Sequence, residues 1–321
     1  MDLRSRITGA DRYQRQHRWL GFPVAVWQKY SDDEGGRLSA ALAYYGIYSI
    51  FPLLLVFVSV LGFSLRGHPK LQRSIVDSAL GQFPVVGHQL QTHSLEGSSF
   101  ALAVGLAASL WAGMRVFIAG ERVMNQIWGI PPVAQPSFLR ARARALALLL
   151  AVGLSVLLAT GLAGLGTIGA SLGIVWKLGA VALSAAFNVG LFWVAFRILT
   201  RDGSWRRLRG GAIAAGLGYE GLQLAGGVYI RHVLEKANST YGTFALVIGL
   251  LSWLYLAAQV FIFAGEGNVV ATKKLWPRSL ARLSEEPPTA ADEEALLMRA
   301  DAEQRRANEA IEVLRDRKPA T

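Results

Sequence analysis

"TFALVIGLLSWLYLAAQVFIFAGEGNVV", residues 243–270, carries one charged side chain, Glu266. About 20 apolar residues in a helix cross the roughly 30 Å of hydrocarbon in a bilayer, and this stretch is longer than that. It lacks the polar-in, apolar-out alternation of a barrel strand, so its backbone is satisfied in lipid only as a helix. Five more runs read the same way: 38–65, 100–119, 145–168, 174–198 and 210–230. With 52% hydrophobic and 17% charged residues among 321, and nine tryptophans, the composition is too apolar for an ordinary soluble domain. The expected fold is all-α: a polytopic membrane protein with a six-helix transmembrane domain at 38–270, a basic N-terminus at 1–37 and a tail at 271–321.

Lysine and arginine fix the orientation. Segments 1–37, 120–144, 197–209 and 271–321 hold 26 of the 33, and the alternate segments hold five. Basic residues are retained on the cytoplasmic side, so both termini are expected inside (N-in/C-in), in a multi-pass cell-membrane protein. Residues 1–36 contain no apolar core of a cleaved signal peptide. The net charge of +11 follows this asymmetry, so it points to membrane lipids as partners and not to nucleic acid.

Several chemistries find no support. Without cysteine there is no thiolate catalysis, disulfide or Cys-based metal site. The five histidines, His17, His68, His88, His93 and His232, form no His-x-His or His-Glu-x-x-His grouping, and no Walker-type loop or nucleotide fingerprint occurs. No enzyme activity, catalytic residue, metal or cofactor is therefore expected. His88 and His93 could meet a metal in the outer loop, but a solvated loop is the better account of them.

Two segments lie outside the spans. In the outer loop 66–99, Leu71, Ile75, Ala79, Leu80 and Phe83 recur at helical spacing and predict an amphipathic helix. In the tail, residues 292–317 are rich in alanine, glutamate and arginine and predict a solvated charged helix, with Asp301 and Arg305 paired one turn apart. Leu296, Leu297, Ile311 and Leu314 would give it one weakly apolar face.

Small residues recur every four positions at Ala101, Gly105, Ser109 and Gly113, and again at Gly210, Ala214 and Gly218. Such ladders let helix backbones approach closely, within one chain or between two copies, so a homo-oligomer stays open. Polar residues inside spans are rarer still. Tyr48 lies near mid-span beside Pro52, which removes a backbone donor and predicts a kink next to a hydroxyl stripe.

"AALAYYGIYSIFPLLLVFVSVLG" (40–62), "ERVMNQIWGI" (121–130) and "NSTYGTFALVIGLLSWLYLAAQVFIFAGEGN" (238–268) together resemble the YihY/virulence factor BrkB family, formerly labelled ribonuclease BN. The resemblance implies a bacterial inner-membrane protein of poorly defined activity. The family's last span ends in a Gly-Ala-Glu-x-Asn-like element, matched here around Glu266 and Asn268, with Gly267 where relatives carry a bulkier apolar residue. A glutamate in the fifth span is also family-like, and Glu220 matches it.

Glu220 is the deepest ionisable group, ten residues or about 15 Å into its span. Burying a charge at that depth costs at least about 2.5–3.5 kcal/mol, so such groups usually face a bundle interior or a water path. Gln223 shares its face, and Asn188, Tyr48 and Arg115 complete a candidate pathway or polar core. The alternative is a carboxyl that fixes helix register, protonated or paired with Arg115 or Arg197. Glu266 lies near the inner end of the last span, where it reaches the headgroups or caps the helix. The expected function is passive or ion-coupled transport or export of a lipid, amphiphile or small solute; the competing reading is an envelope scaffold acting through the tail and outer loop.

Overall fold

The structure is a computed structural model describing residues 3–64, 99–168, 173–200, 204–229, 235–280, 288–306, 308–309, 311 and 313. Its described residues form nine α-helices and one short 3-10 turn, with no strand among them. They are α1 (Leu3–Gln16), α2 (Arg18–Asp32), α3 (Gly35–Ser64), α4 (Ser99–Ile127), α5 (Phe138–Ile168), α6 (Gly173–Leu199), α7 (Trp205–Tyr229), α8 (Glu235–Lys273) and α9 (Ala290–Ala302). Each of the six apolar runs maps onto one helix, α3 to α8. The expected amphipathic helix of the 66–99 loop lies outside the described residues.

The six long helices close a ring: α3 packs on α4, α4 on α5, α5 on α6, α6 on α7, α7 on α8 and α8 back on α3. At 39 residues α8 is about 58 Å long, well beyond the hydrocarbon thickness. Pro52 sits inside α3, which continues through it from Gly35 to Ser64. Among the described residues two stretches, Leu178–Leu199 and Val247–Lys273, are long and apolar enough to cross a bilayer, and only 6% of the most apolar part of the first is buried. Leu150 and Leu154 on α5 and Leu178 and Leu183 on α6 are likewise exposed. Water would penalise this surface; lipid would not.

Burial concentrates at the end of the ring that carries α2 and α9. There Met124 and Ile127 of α4, Phe196 of α6, Leu208 and Ala212 of α7, and Ile262 and Val269 of α8 are all fully enclosed. Gly129, at φ +64°, reverses the chain after α4, a conformation that disfavours any side chain, and its α-carbon faces Met298 of α9 closely.

Residues 1–37 are more than a basic extension. Helix α1 packs on α2, and α2 packs along α8 and against α3 at the end of the ring. The tail helix is not solvated all round either. Arg278 Nη1 lies 2.8 Å from Asp32 Oδ2, and Arg278 Nε lies 3.1 Å from Asp292 Oδ1. Gln14 Nε2 donates to the Arg278 carbonyl at 2.5 Å, and the Leu280 amide donates to Asp11 Oδ1 at 2.8 Å. Thr289 caps α9 through a reciprocal capping box with Asp292. Ala291 and Ala295 are buried while Leu296 and Leu297 are exposed, so the docked face is not the expected leucine face. The expected Asp301–Arg305 pairing fails because α9 stops at Ala302, and the Arg305 amide instead donates to Glu309 at 2.8 Å.

The glycine ladders also differ from expectation. A Cβ on Gly210 would meet nothing within 4 Å, whereas one on Gly211 would lie 2.4 Å from the Ala264 carbonyl, and one on Gly216 would lie 2.6 Å from the Val189 nitrogen. Gly218 does meet α8, where a Cβ would lie 3.0 Å from Val260, but the tightest backbone crossings fall at Gly211 and Gly216, outside the Gly210, Ala214, Gly218 register, because the facing ridges of α6 and α8 decide which glycine is met. Gly113 does make a close contact, on Leu53 of α3. Gly216→Ala is expected to destabilise the purified protein by about 1–3 kcal/mol, while Gly210→Ala leaves thermal unfolding in detergent unchanged or slightly raised; equal effects would contradict the α6–α7 approach.

Burial works to raise the Asp292 carboxyl pKa, but hydrogen bonds from Ser279 and Thr289 outweigh it and hold it below the usual 3.8. Asp11 is held down in the same way, by the Leu280 amide, Arg15 and Gln14 against burial. Depressed carboxylates stabilise the docked state above their ordinary pKa and lose that contribution as pH falls through the lowered value. A spin label on Leu296→Cys, the only thiol in the chain, should stay immobile down to about pH 4 and become mobile below it; Asp292→Asn should mobilise it at neutral pH.

Candidate functional site

The structure divides the expected polar core among three places. Glu220 and Asn188 are brought together: Asn188 Nδ2 donates to Glu220 Oε2 at 2.8 Å, and Ser184 Oγ donates to the same oxygen at 2.9 Å. Glu220 is half-buried, so this is a polar clasp between α6 and α7, and neither Arg115 nor Arg197 takes part. Arg197 instead faces the Trp205 ring at 5.9 Å. Gln223 stands half-buried one turn further along α7. Tyr48 is exposed on α3, with its ring 4.7 Å from that of Tyr44. Arg115 is exposed on α4 and lines a separate cavity with Tyr45, Glu121 and Arg122. Position along a helix does not fix the sector of the ring it faces, and α3, α4 and α7 present these residues in different sectors.

Glu266 neither reaches headgroups nor caps a helix. It is fully buried, with Oε2 3.3 Å from the Lys29 ammonium. Lys29, on α2 and 1% exposed, also donates to the Ile127 carbonyl at 3.0 Å and pairs closely with Asp33. One ammonium thus joins α2, α8 and the end of α4. The Lys29–Asp33 spacing of one helical turn was visible in sequence as an ion pair; its burial was not, because it depends on α2 folding back onto α8. Two residues further along α8, Asn268 Oδ1 accepts from the Gly211 amide at 2.8 Å and pins α8 to α7.

Between these attachments runs a groove. It follows the α7–α8 seam, is roofed at one end by α2, and encloses about 890 Å³. This is at the upper end of the roughly 300–1,000 Å³ typical of small-molecule sites. Its floor is built of Gly210, Ala214, Gly218, Gly221 and Gly267, and its walls of Val260 and Phe263 of α8 with Phe22 and Trp27 of α2. A Cβ on Gly210, Gly221 or Gly267 would meet nothing within 4 Å, so the missing side chains are what make the depth. Arg207 stands at the end nearest the termini, and Gln259 is the polar group at the other, where its amide donates to the Tyr30 and Tyr255 hydroxyls at 3.3 Å. The Tyr30 ring stacks on Phe263 at 3.9 Å between centroids, which sets the roof against the wall.

Removing the lysine would strand two buried carboxylates. Lys29→Met is therefore expected to cost about 3–5 kcal/mol, read as a lower thermal midpoint in detergent. Lys29→Met with Glu266→Gln should recover part of the loss, and no recovery would mean that the two groups do not act together.

Residues 26–289 match the Virulence factor BrkB family. The inner membrane protein YhjD of Escherichia coli (strain K12) is 25% identical over 86% of this chain and 88% of its own length. The ribonuclease-like protein YfkH of Bacillus subtilis (strain 168) is 24% identical over 79% and 96% respectively. The UPF0761 membrane protein Mpe_A1422 of Methylibium petroleiphilum is 26% identical over 79% of this chain and 62% of its own length. No solved structure gives a significant match. The family match spans the second half of the roof helix, all six ring helices and the start of the tail, and on that extent the chain belongs to the Virulence factor BrkB family of membrane proteins.

Proposed function

We propose that this protein is a multi-pass inner-membrane transporter, not an enzyme, that moves a lipid or lipid-like amphiphile along the α7–α8 groove. The observation that carries the reading is the groove itself: apolar, floored by glycine and open at its side. The six apolar helices, the 26 basic residues in alternate segments, and the contacts that gather α1, α2 and the tail at one end support six spans with both termini cytoplasmic. Arg207 then sits at headgroup level, where a guanidinium pairs with an anionic group while the apolar walls take a hydrocarbon chain. The E. coli relative's name as an inner membrane protein supports the location.

The Glu220 clasp lies on the α6 side of α7, away from the groove, and its part is to hold the seam or to couple transport to an ion. A scaffold acting through the tail is less well supported, because α9 is engaged with the chain's own Asp32 and Arg278.

In reconstituted vesicles, leaflet transfer of a fluorescent phospholipid should fall about tenfold, a barrier rise of about 1.4 kcal/mol, in Gly221→Leu/Gly267→Leu, whose new side chains enter open space. Transfer at the wild-type rate in a folded variant would sink the proposal. Glu220→Gln separates the modes: passive transfer survives it, ion-coupled transfer does not.

A further inference from the structure

A second cavity lies across the ring from the groove, on the α4–α5 seam, and encloses about 390 Å³. Arg115 and Arg122 of α4 and Arg142 of α5 line it, together with the aromatic rings of Tyr45, Trp111 and Phe138. Its one lining carboxylate, Glu121, is already engaged by Arg144 Nη1 at 2.8 Å. Among the described residues no carboxylate pairs with Arg115, Arg122 or Arg142. Arg142 is held by stacking: its guanidinium lies 3.4 Å from the Trp111 centroid and 4.3 Å from that of Phe138, and its Nε is buried without a hydrogen-bond acceptor. Rings on its faces leave the in-plane N–H groups as the donors still to be used.

Three guanidinium groups that line one cavity, whose single carboxylate is taken by Arg144, repel one another, and an arrangement of this kind is stabilised by an anion that accepts in-plane hydrogen bonds. The start of α5 at Phe138 adds its unpaired first-turn amides and the positive end of a 31-residue helix to the same region. The cavity also straddles the ends of the second and third apolar runs, 100–119 and 145–168, so its arginines lie at headgroup depth and Trp111 and Ile118 extend towards the hydrocarbon. We propose that this cavity is a phosphate-binding site, taking the phosphate of an anionic lipid headgroup or free phosphate, separate from the transport groove. Arg115 and Arg122 supply flexible donors, Arg142 is the preset one, and Asn125 and Gln135 offer neutral amide donors at the rim.

The test uses the full chain purified in non-ionic detergent, with calorimetric titration of short-chain phosphatidic acid, short-chain phosphatidylcholine and inorganic phosphate. Phosphatidic acid should bind saturably and more tightly than phosphatidylcholine. Arg115→Gln, on an exposed side chain, should weaken binding several-fold, and Arg115→Gln/Arg122→Gln/Arg142→Gln by about tenfold or more, while Arg140→Gln, outside the cavity, leaves it unchanged. If inorganic phosphate displaces the lipid at comparable concentration, soluble phosphate is the ligand; if it does not, the headgroup is. Equal affinity of wild type and the folded triple variant for phosphatidic acid would overturn the site, as would phosphatidylcholine binding as tightly. Because the groove variants leave these arginines untouched, loss of lipid transfer and loss of phosphate binding can be told apart.

Discussion

One buried ammonium organises the end of this protein that carries both termini. Lys29 meets Asp33, Glu266 and the Ile127 carbonyl in a space where it is 1% exposed, and so ties α2 to α8 and to the end of α4. A lone charge there would be costly, and two carboxylates without the lysine costlier, so the three groups are stable only when all of the helices are in place. The position of α2 follows from that requirement. So does the groove, since Phe22 and Trp27, which roof it, lie on the helix that Lys29 and the Tyr30–Phe263 stack hold down.

The second constraint is the close approach of α7 to its neighbours. Gly216 against Val189 on one side and Gly211 against Asn268 on the other bring α6, α7 and α8 together through backbone contact. Gly210, Gly221 and Gly267 face no neighbour, and the seam therefore opens into a trough at those positions. The same residue type thus serves packing at some positions and vacancy at others, one residue apart. On the far side of the ring, the α4–α5 seam opens at the same end but is lined with guanidinium groups, so the two openings differ in chemistry: one apolar, one cationic.

The six long helices were legible in the sequence because length and hydrophobicity are local properties: each run from 38–65 to 243–270 needed no knowledge of the others. The partnership of Glu220 with Asn188 followed from similar depth on consecutive helices, and Ser184, one turn before Asn188, was within reach of the same reasoning. Tyr48 and Arg115 were joined to that core as polar groups within spans, and polarity within a span says nothing of angular position around a ring. Lys29 was hidden among seven basic residues of the N-terminal segment, where a solvated role is the ordinary one. The docked face of α9 was missed because Ala291 and Ala295 are small, and leucines weigh more in any reading of periodicity.

If the α7–α8 groove beneath α2 is a lipid site in the assembled membrane protein, a cryo-electron microscopy map of the full chain in lipid nanodiscs should show elongated, chain-like density lying over Gly218, Gly221 and Gly267, with its polar end at Arg207. A groove filled by the protein's own side chains or by a second copy of the chain, with no lipid density along it, would contradict the claim.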